Sequence, residues 1–172
     1  MVNRRLEFSI LRKNRNLISN SVILRCLKIS DLDFLQKIEN DIDLWQYGSE
    51  NKIYTTEELV LYISNSNRPI TEYSQFRYVV SLNDQPIGFV DLFNYYKNTA
   101  SIGIIIDKEF QNKGYGKESL RLLSLIARDK LSIDHLNCKV EKNNLVSNYL
   151  FFSSGYELIK QDKKYNFYIF TL

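Results

Sequence analysis

A chain of 172 residues, 44% of them hydrophobic and 25% charged, has the size and composition of one globular domain with a sizeable core. No stretch approaches the ~20 uncharged apolar residues of a membrane span, and Arg4, Arg5, Arg12, Lys13 and Arg15 interrupt any secretory leader, so no membrane partner is expected. The net charge of +3 comes from the first 20 residues, where those five cations oppose Glu7 alone; the rest holds 18 basic and 19 acidic side chains, which argues against a nucleic-acid-binding domain.

Residues 1–20 are read as a basic N-terminal extension and residues 21–172 as the domain. Residues 22–28 form a first strand. Ser30 then caps a helix with Asp31 and Asp33 in its first turn and Leu32, Leu35 and Ile38 at helical spacing. Thr55 opens a second helix, with Glu57 and Glu58 at its start and Leu59, Leu61, Tyr62 and Ile63 behind, ending in the polar residues 64–69. Residues 76–82 and 87–94 read as a hairpin around Asn83-Asp84-Gln85-Pro86. Lys97-Asn98 separates it from a strand over 100–107, whose isoleucines have the β-branched content of a buried strand. A long helix runs to about residue 130 and residues 136–140 form the next strand. A short helix over 144–154, stopped by Gly155, precedes a closing hairpin of 156–161 and 166–171. His135, the only histidine, falls in a loop with no catalytic part expected. Cys26 and Cys138 lie in strands and make no disulfide framework, so a reducing, cytoplasmic setting is expected.

Between the isoleucine strand and the long helix stands Gln111-Asn112-Lys113-Gly114-Tyr115-Gly116-Lys117. Strand, glycine-bearing loop and helix in this order point backbone N–H groups and the positive end of a helix dipole at one spot, a ready site for a phosphate. A tight turn at a helix start would also account for the glycines. A dinucleotide fingerprint needs a third glycine where Ser119 stands, and a Walker loop needs a Gly-Lys-Ser/Thr step that Gly114 and Gly116 do not supply. A second stretch completes the pattern: Glu141-Lys142-Asn143-Asn144-Leu145-Val146-Ser147, followed by Gly155-Tyr156.

Gln-x-x-Gly-x-Gly at 111–116 and Asn-x-x-Ser…Gly-Tyr from Asn144 resemble the two acetyl-CoA signatures of the Gcn5-related N-acetyltransferase (GNAT) superfamily. The order of elements from residue 21 to 172 is similar to that family's as well, closest to its spermidine and ribosomal-protein N-terminal acetyltransferases. The resemblance implies an α+β fold (an α/β sandwich): a mixed, mostly antiparallel sheet of about seven strands flanked by helices, splayed at its central strands. It implies acetyl-CoA as cosubstrate and no metal. Backbone groups of Ile104, Ile105 and Ile106 would pair with the pantetheine arm, the amides of Gln111, Asn112, Lys113, Gly114, Tyr115, Gly116 and Lys117 would hold the pyrophosphate, and Asn144 would contact the arm from the other side.

Many relatives place a tyrosine acid where the Asn144 signature puts Phe151, which is expected beside the cofactor yet has no proton to give. That leaves Tyr149, a water, or no specific acid. Asp91, inside an otherwise apolar strand, is the first candidate base, with outward alternation as the plain alternative; Glu141 is the second. In this family the helices after the first strand wall the acceptor site. Glu39, Asp41, Trp45, Tyr47 and Glu50 make that wall acidic and aromatic, suited to a cationic amine, although acids at 41, 43, 57 and 58 also fit helix N-termini. The reading is acetyl transfer to a small-molecule amine, a polyamine such as spermidine first. The alternatives are a protein N-terminus and a non-catalytic acyl-CoA-binding module. The resemblance also implies a homo-oligomer.

Overall fold

The computed structural model describes residues 22–47 and 52–172, apart from the side chains of residues 45–47. The expected N-terminal extension lies outside them. Seven strands form one sheet: β1 (Val22–Cys26), β2 (Gln75–Leu82), β3 (Gln85–Tyr96), β4 (Thr99–Ile106), β5 (His135–Glu141), β6 (Glu157–Gln161) and β7 (Tyr165–Thr171). Their order is β1-β2-β3-β4-β5-β7-β6, and every neighbouring pair is antiparallel except β4 with β5. The helices are α1 (Leu32–Glu39), α2 (Thr56–Asn65), α3 (Ile70–Tyr73), α4 (Tyr115–Leu131) and α5 (Leu145–Ser153). None of the described helices is long and apolar enough to cross a membrane.

Turn chemistry sets the meander β2-β3-β4. Asn83 (φ 49°) and Asp84 (φ 66°) form a two-residue turn between the paired Leu82 and Gln85; Lys97 (φ 45°) and Asn98 (φ 60°) do the same between Tyr96 and Thr99. Two successive positive-φ residues give the turn whose twist matches antiparallel strands. The β2–β3 ladder then slips by one residue: Ser81 faces Pro86 but Val80 faces Gly88, which leaves Ile87 as a bulge.

Each face of the sheet is covered by helices. On one face Leu35 and Ile38 of α1 and Leu59 and Ile63 of α2 pack on Val79 and Phe89. On the other, Leu120, Leu123 and Ala127 of α4 and Phe151 of α5 share a core with Val90, Leu92, Ile102 and Cys138. Each fully buried aliphatic side chain contributes roughly 1.5–3 kcal/mol relative to exposure.

Three expectations change. The chain leaves the first strand at Cys26, two residues earlier than expected. Asp31 is not a first-turn residue behind a Ser30 cap. It is 2% exposed, takes both Nη atoms of Arg25 at 2.7 Å, accepts the Lys28 N–H at 2.9 Å, and closes a 3-10 turn (Ile29–Asp31) ahead of α1. His135 belongs to β5 rather than a loop, and the single turn of α3 follows Pro69. The second helix starts as expected, with Thr55 and Glu58 in a reciprocal capping box.

Candidate active site

The sheet opens between its two parallel strands. β4 pairs with β5 only through Thr99, Ala100 and Ser101, opposite His135, Leu136 and Asn137. From Ile102 to Ile106, β4 keeps its partners on β3 and has none on β5. A strand edge with unpaired amides and carbonyls is a template for another extended chain. Ile104, Ile105 and Ile106 lie on this edge, and Gln111 folds back so that its Nε2 donates to the Ile106 carbonyl at 2.7 Å.

Beyond β4, Asp107 is 8% exposed and binds Lys37 of α1 at 2.5 Å, fixing where the strand ends. A 3-10 turn (Lys108–Phe110) and the exposed residues Gln111, Asn112, Lys113 and Gly114 lead into α4. Lys113 donates to the Glu109 carbonyl at 2.8 Å, Asn112 has φ 58° and Gly114 φ 84°. Among the described residues no side chain caps the N-terminus of α4. The first N–H groups of a helix have no intrahelical acceptor, and here Tyr115, Gly116 and Lys117 occupy those positions. A Cβ on Gly114 would meet nothing within 4 Å, while one on Gly116 would stand 3.3 Å from Leu150 of α5.

On the α1–α2 face, one guanidinium gathers two carboxylates. Arg77 of β2 donates from Nε and Nη2 to the two oxygens of Asp91 at 2.6 and 2.9 Å, and from Nη1 to Glu39 at the end of α1. Its carbon lies 5.0 Å from the Phe89 ring and 5.5 Å from that of Tyr62. Burial works against its charge, but Asp91 and Glu39 outweigh burial and hold its pKa well above the ordinary value. A second cation acts similarly: Lys108 stands 3.0 Å from Asp43 and 3.7 Å from Asp41. Trp45 and Tyr47 fall in the 3-10 turn Ile42–Tyr47, but their side chains, like Glu50, lie outside the described residues.

The other expected side chains are not gathered around Asp91. Glu141 ends β5 and pairs with Lys164 at 2.7 Å. Tyr149 is 73% exposed, on the outer face of α5 with Leu145, Val146 and Phe152. Asn144 accepts the Ser147 N–H at 3.0 Å and so caps α5. Phe151, expected at the cofactor, is 4% exposed and packs in the core against Tyr156 and Tyr168, with ring centroids 5.1 and 6.3 Å away.

A family model described as an acetyltransferase (GNAT) domain matches residues 21–157. The chain belongs to this GNAT acetyltransferase family. No curated protein sequence matches it. Among solved structures, this acetyltransferase is similar to RimL, a ribosomal α-N-protein acetyltransferase in complex with coenzyme A (TM-score 0.77, 18% identity, covering 91% of this chain and 97% of that one). It is also similar to a spermidine N-acetyltransferase from Vibrio cholerae in complex with CoA and spermine (TM-score 0.75, 21% identity, 88% and 95% covered). A third is apo FdhC, a nucleotide-linked sugar GNAT (TM-score 0.73, 20% identity, 88% and 87% covered). At these identities the likeness concerns the fold.

As a GNAT acetyltransferase it uses acetyl-CoA, and the geometry fits that cosubstrate. The edge of β4 that β5 leaves open from Ile102 onward suits an extended pantetheine arm. The uncapped start of α4, with no Cβ at Gly114 or Gly116, suits a pyrophosphate.

Two residues of this acetyltransferase escaped the sequence reading. Arg77 carried a weak signal, a lone cation among the apolar residues of β2. Asn148 carried none: it donates to the Glu141 and Asn144 carbonyls at 2.8 and 2.7 Å and accepts from Asn166 and Tyr168 at 2.6 and 2.8 Å. It thereby ties the start of α5 to the end of β5 and to β7.

Proposed function

We propose that the acceptor is a primary amine entering on the α1–α2 face beside β4, and that a polyamine such as spermidine is its best representative. The observation that carries this reading is the sharing of cations. Four carboxylates, those of Glu39, Asp91, Asp41 and Asp43, gather on this face, the first two at Arg77 and the last two at Lys108. Carboxylates grouped at an entrance suit a cationic ligand.

Acetyl-CoA, when bound, supplies an acyl group activated as a thioester. Ile104, Ile105 and Ile106 would hold its arm through their backbone, and Gln111 through Lys117 its pyrophosphate. Asp91 faces the amine. A carboxylate has about four acceptor positions, and Arg77 occupies two of them. The remainder can orient an ammonium and take the proton that the amine must lose before it attacks. Phe151 donates no proton, so reprotonation of the leaving thiolate falls to water.

A protein N-terminus is the second reading, favoured by a cavity of about 210 Å³ beyond Arg77. Tyr62, Tyr73 and Phe76 wall it and Arg68 and Gln75 line it, enough room for residues that follow a terminal amine.

Thiol release from acetyl-CoA, with spermidine, spermine and a short peptide offered separately, tests the proposal. Turnover with the polyamines alone is expected. Turnover with the peptide alone replaces the first reading by the second, and silence with all three, despite acetyl-CoA binding, refutes both.

A further inference from the structure

We propose that Arg77 is a positioning residue for acetyl transfer, acting through Asp91. The inference rests on the reading of Asp91 as the carboxylate that faces the acceptor amine.

Its geometry begins with Gly103. Asp91 pairs with Arg77 on one side and with Gly103 of β4 on the other. A Cβ on Gly103 would lie 4.0 Å from the Asp91 Cβ and 3.7 Å from the Phe93 ring, so the three positions share one face. Because Gly103 has no side chain, nothing from β4 stands between the Asp91 carboxylate and the unpaired edge of β4. That edge is about one strand spacing, ~4.8 Å, from β3. Asp91 is the carboxylate of β3 that shares this face with Gly103.

A carboxylate beside a bare glycine has little to hold its rotamer. Arg77 supplies what is missing. Its fork binds both oxygens of Asp91, and this planar, two-point contact fixes orientation as well as distance. The guanidinium is itself immobilised: its side chain is 17% exposed, it lies against the rings of Phe89 and Tyr62, and its third donor reaches Glu39. Glu39 is the last residue of α1, so the same arginine joins the helix that walls the acceptor side to the strand that carries Asp91.

Packing alone does not require such an arrangement. A buried ion pair is often matched in stability by apolar side chains of similar volume, and the opposite face of the same strands, at Val80, Val90 and Ile102, is apolar. Without Arg77, the Asp91 carboxylate would lose the two-point contact that sets its orientation.

A double-mutant cycle on the purified enzyme decides the matter, using the acceptor found by thiol release. Arg77→Met is expected to lower kcat by about 100-fold, the scale of an ångström-sized misplacement, with acetyl-CoA affinity unchanged by calorimetry. Asp91→Asn is expected to lower kcat comparably. The double variant should be no slower than Asp91→Asn alone, because an arginine that acts through Asp91 has nothing further to lose. Arg77→Lys, which keeps the charge without the fork, should fall between wild type and Arg77→Met, and it repeats the cycle if Arg77→Met does not fold. Multiplying effects in the double variant would overturn the proposal, as would wild-type kcat in Arg77→Met. If Asp91→Asn itself turns over normally, the reading of Asp91 falls and Arg77 falls with it; if only the Arg77 variants are normal, Asp91 keeps its role.

Discussion

The carbonyl of Ile87, the extra residue in β3, accepts the amide N–H of Asp107, the first residue past β4, at 2.9 Å. The bulge thus fastens the far end of β4, the strand that presents the open edge. Lys37 reaches the Asp107 side chain from α1, so a kink in one strand and the end of another are secured at a single residue.

Gly88 makes that closure sterically feasible. A Cβ there would lie 2.3 Å from the Ile105 carbonyl oxygen and 2.9 Å from Ile106 Cδ1. Backbone cannot move aside as a flexible side chain can, so Gly88→Ala is expected to destabilise the enzyme by about 2–3 kcal/mol. It should also weaken acetyl-CoA binding by displacing Ile105 and Ile106. Urea unfolding and calorimetry measure the two effects; wild-type values in both would refute the expectation.

The Arg25–Asp31 pair makes stability depend on pH in a defined direction. Burial raises the pKa of Asp31, but the Arg25 hydrogen bonds and the Lys28 N–H outweigh it and hold the carboxyl below its ordinary value. A group whose folded pKa is depressed contributes stability above its unfolded pKa, and that contribution is lost as pH falls through the folded value. Asp31→Asn is expected to cost about 2–3 kcal/mol at pH 7. The gap from wild type should narrow below about pH 4, the ordinary range of an aspartate. Urea midpoints at pH 7 and pH 3 test this, and a constant gap would count against it.

Gly116 separates helix stability from ligand binding. It sits in the first turn of α4, where alanine is intrinsically the better helix former by about 1 kcal/mol. Its added Cβ would press on Leu150 at 3.3 Å, beside the uncapped N–H groups. Gly116→Ala is expected to keep or raise the thermal midpoint while weakening acetyl-CoA about tenfold, equivalent to ~1.4 kcal/mol. An unchanged affinity would remove this position from the pyrophosphate cradle.

The elements were legible because their signals are local. Asn83-Asp84 and Lys97-Asn98 announce turns, the Thr55–Glu58 box starts α2, and Gly114 and Gly116 mark the entry to α4. The pairing on the α1–α2 face was not, and the reason lies in Ile87. In a regular ladder, the two-residue turn at Asn83-Asp84 would set Arg77 opposite Val90. The extra residue shifts the register by one and brings Asp91 opposite Arg77 instead. No propensity or spacing rule shows a bulge inside an apolar run, so Asp91 could be noticed as a lone carboxylate but not given its partner. Asp31 was misjudged for a related reason: Arg25, six residues earlier, reaches it across a turn.

The parting of β4 from β5 has a thermodynamic side. Only three residue pairs stitch the first four strands to the last three, leaving the middle of the sheet as its least finished seam. A molecule lying along that seam would complete a hydrogen-bonded ladder the polypeptide leaves open. Occupancy and unfolding are then linked equilibria, with resistance to denaturation growing as the logarithm of ligand concentration. The amides on either bank of the seam are where slowed hydrogen exchange would first record it.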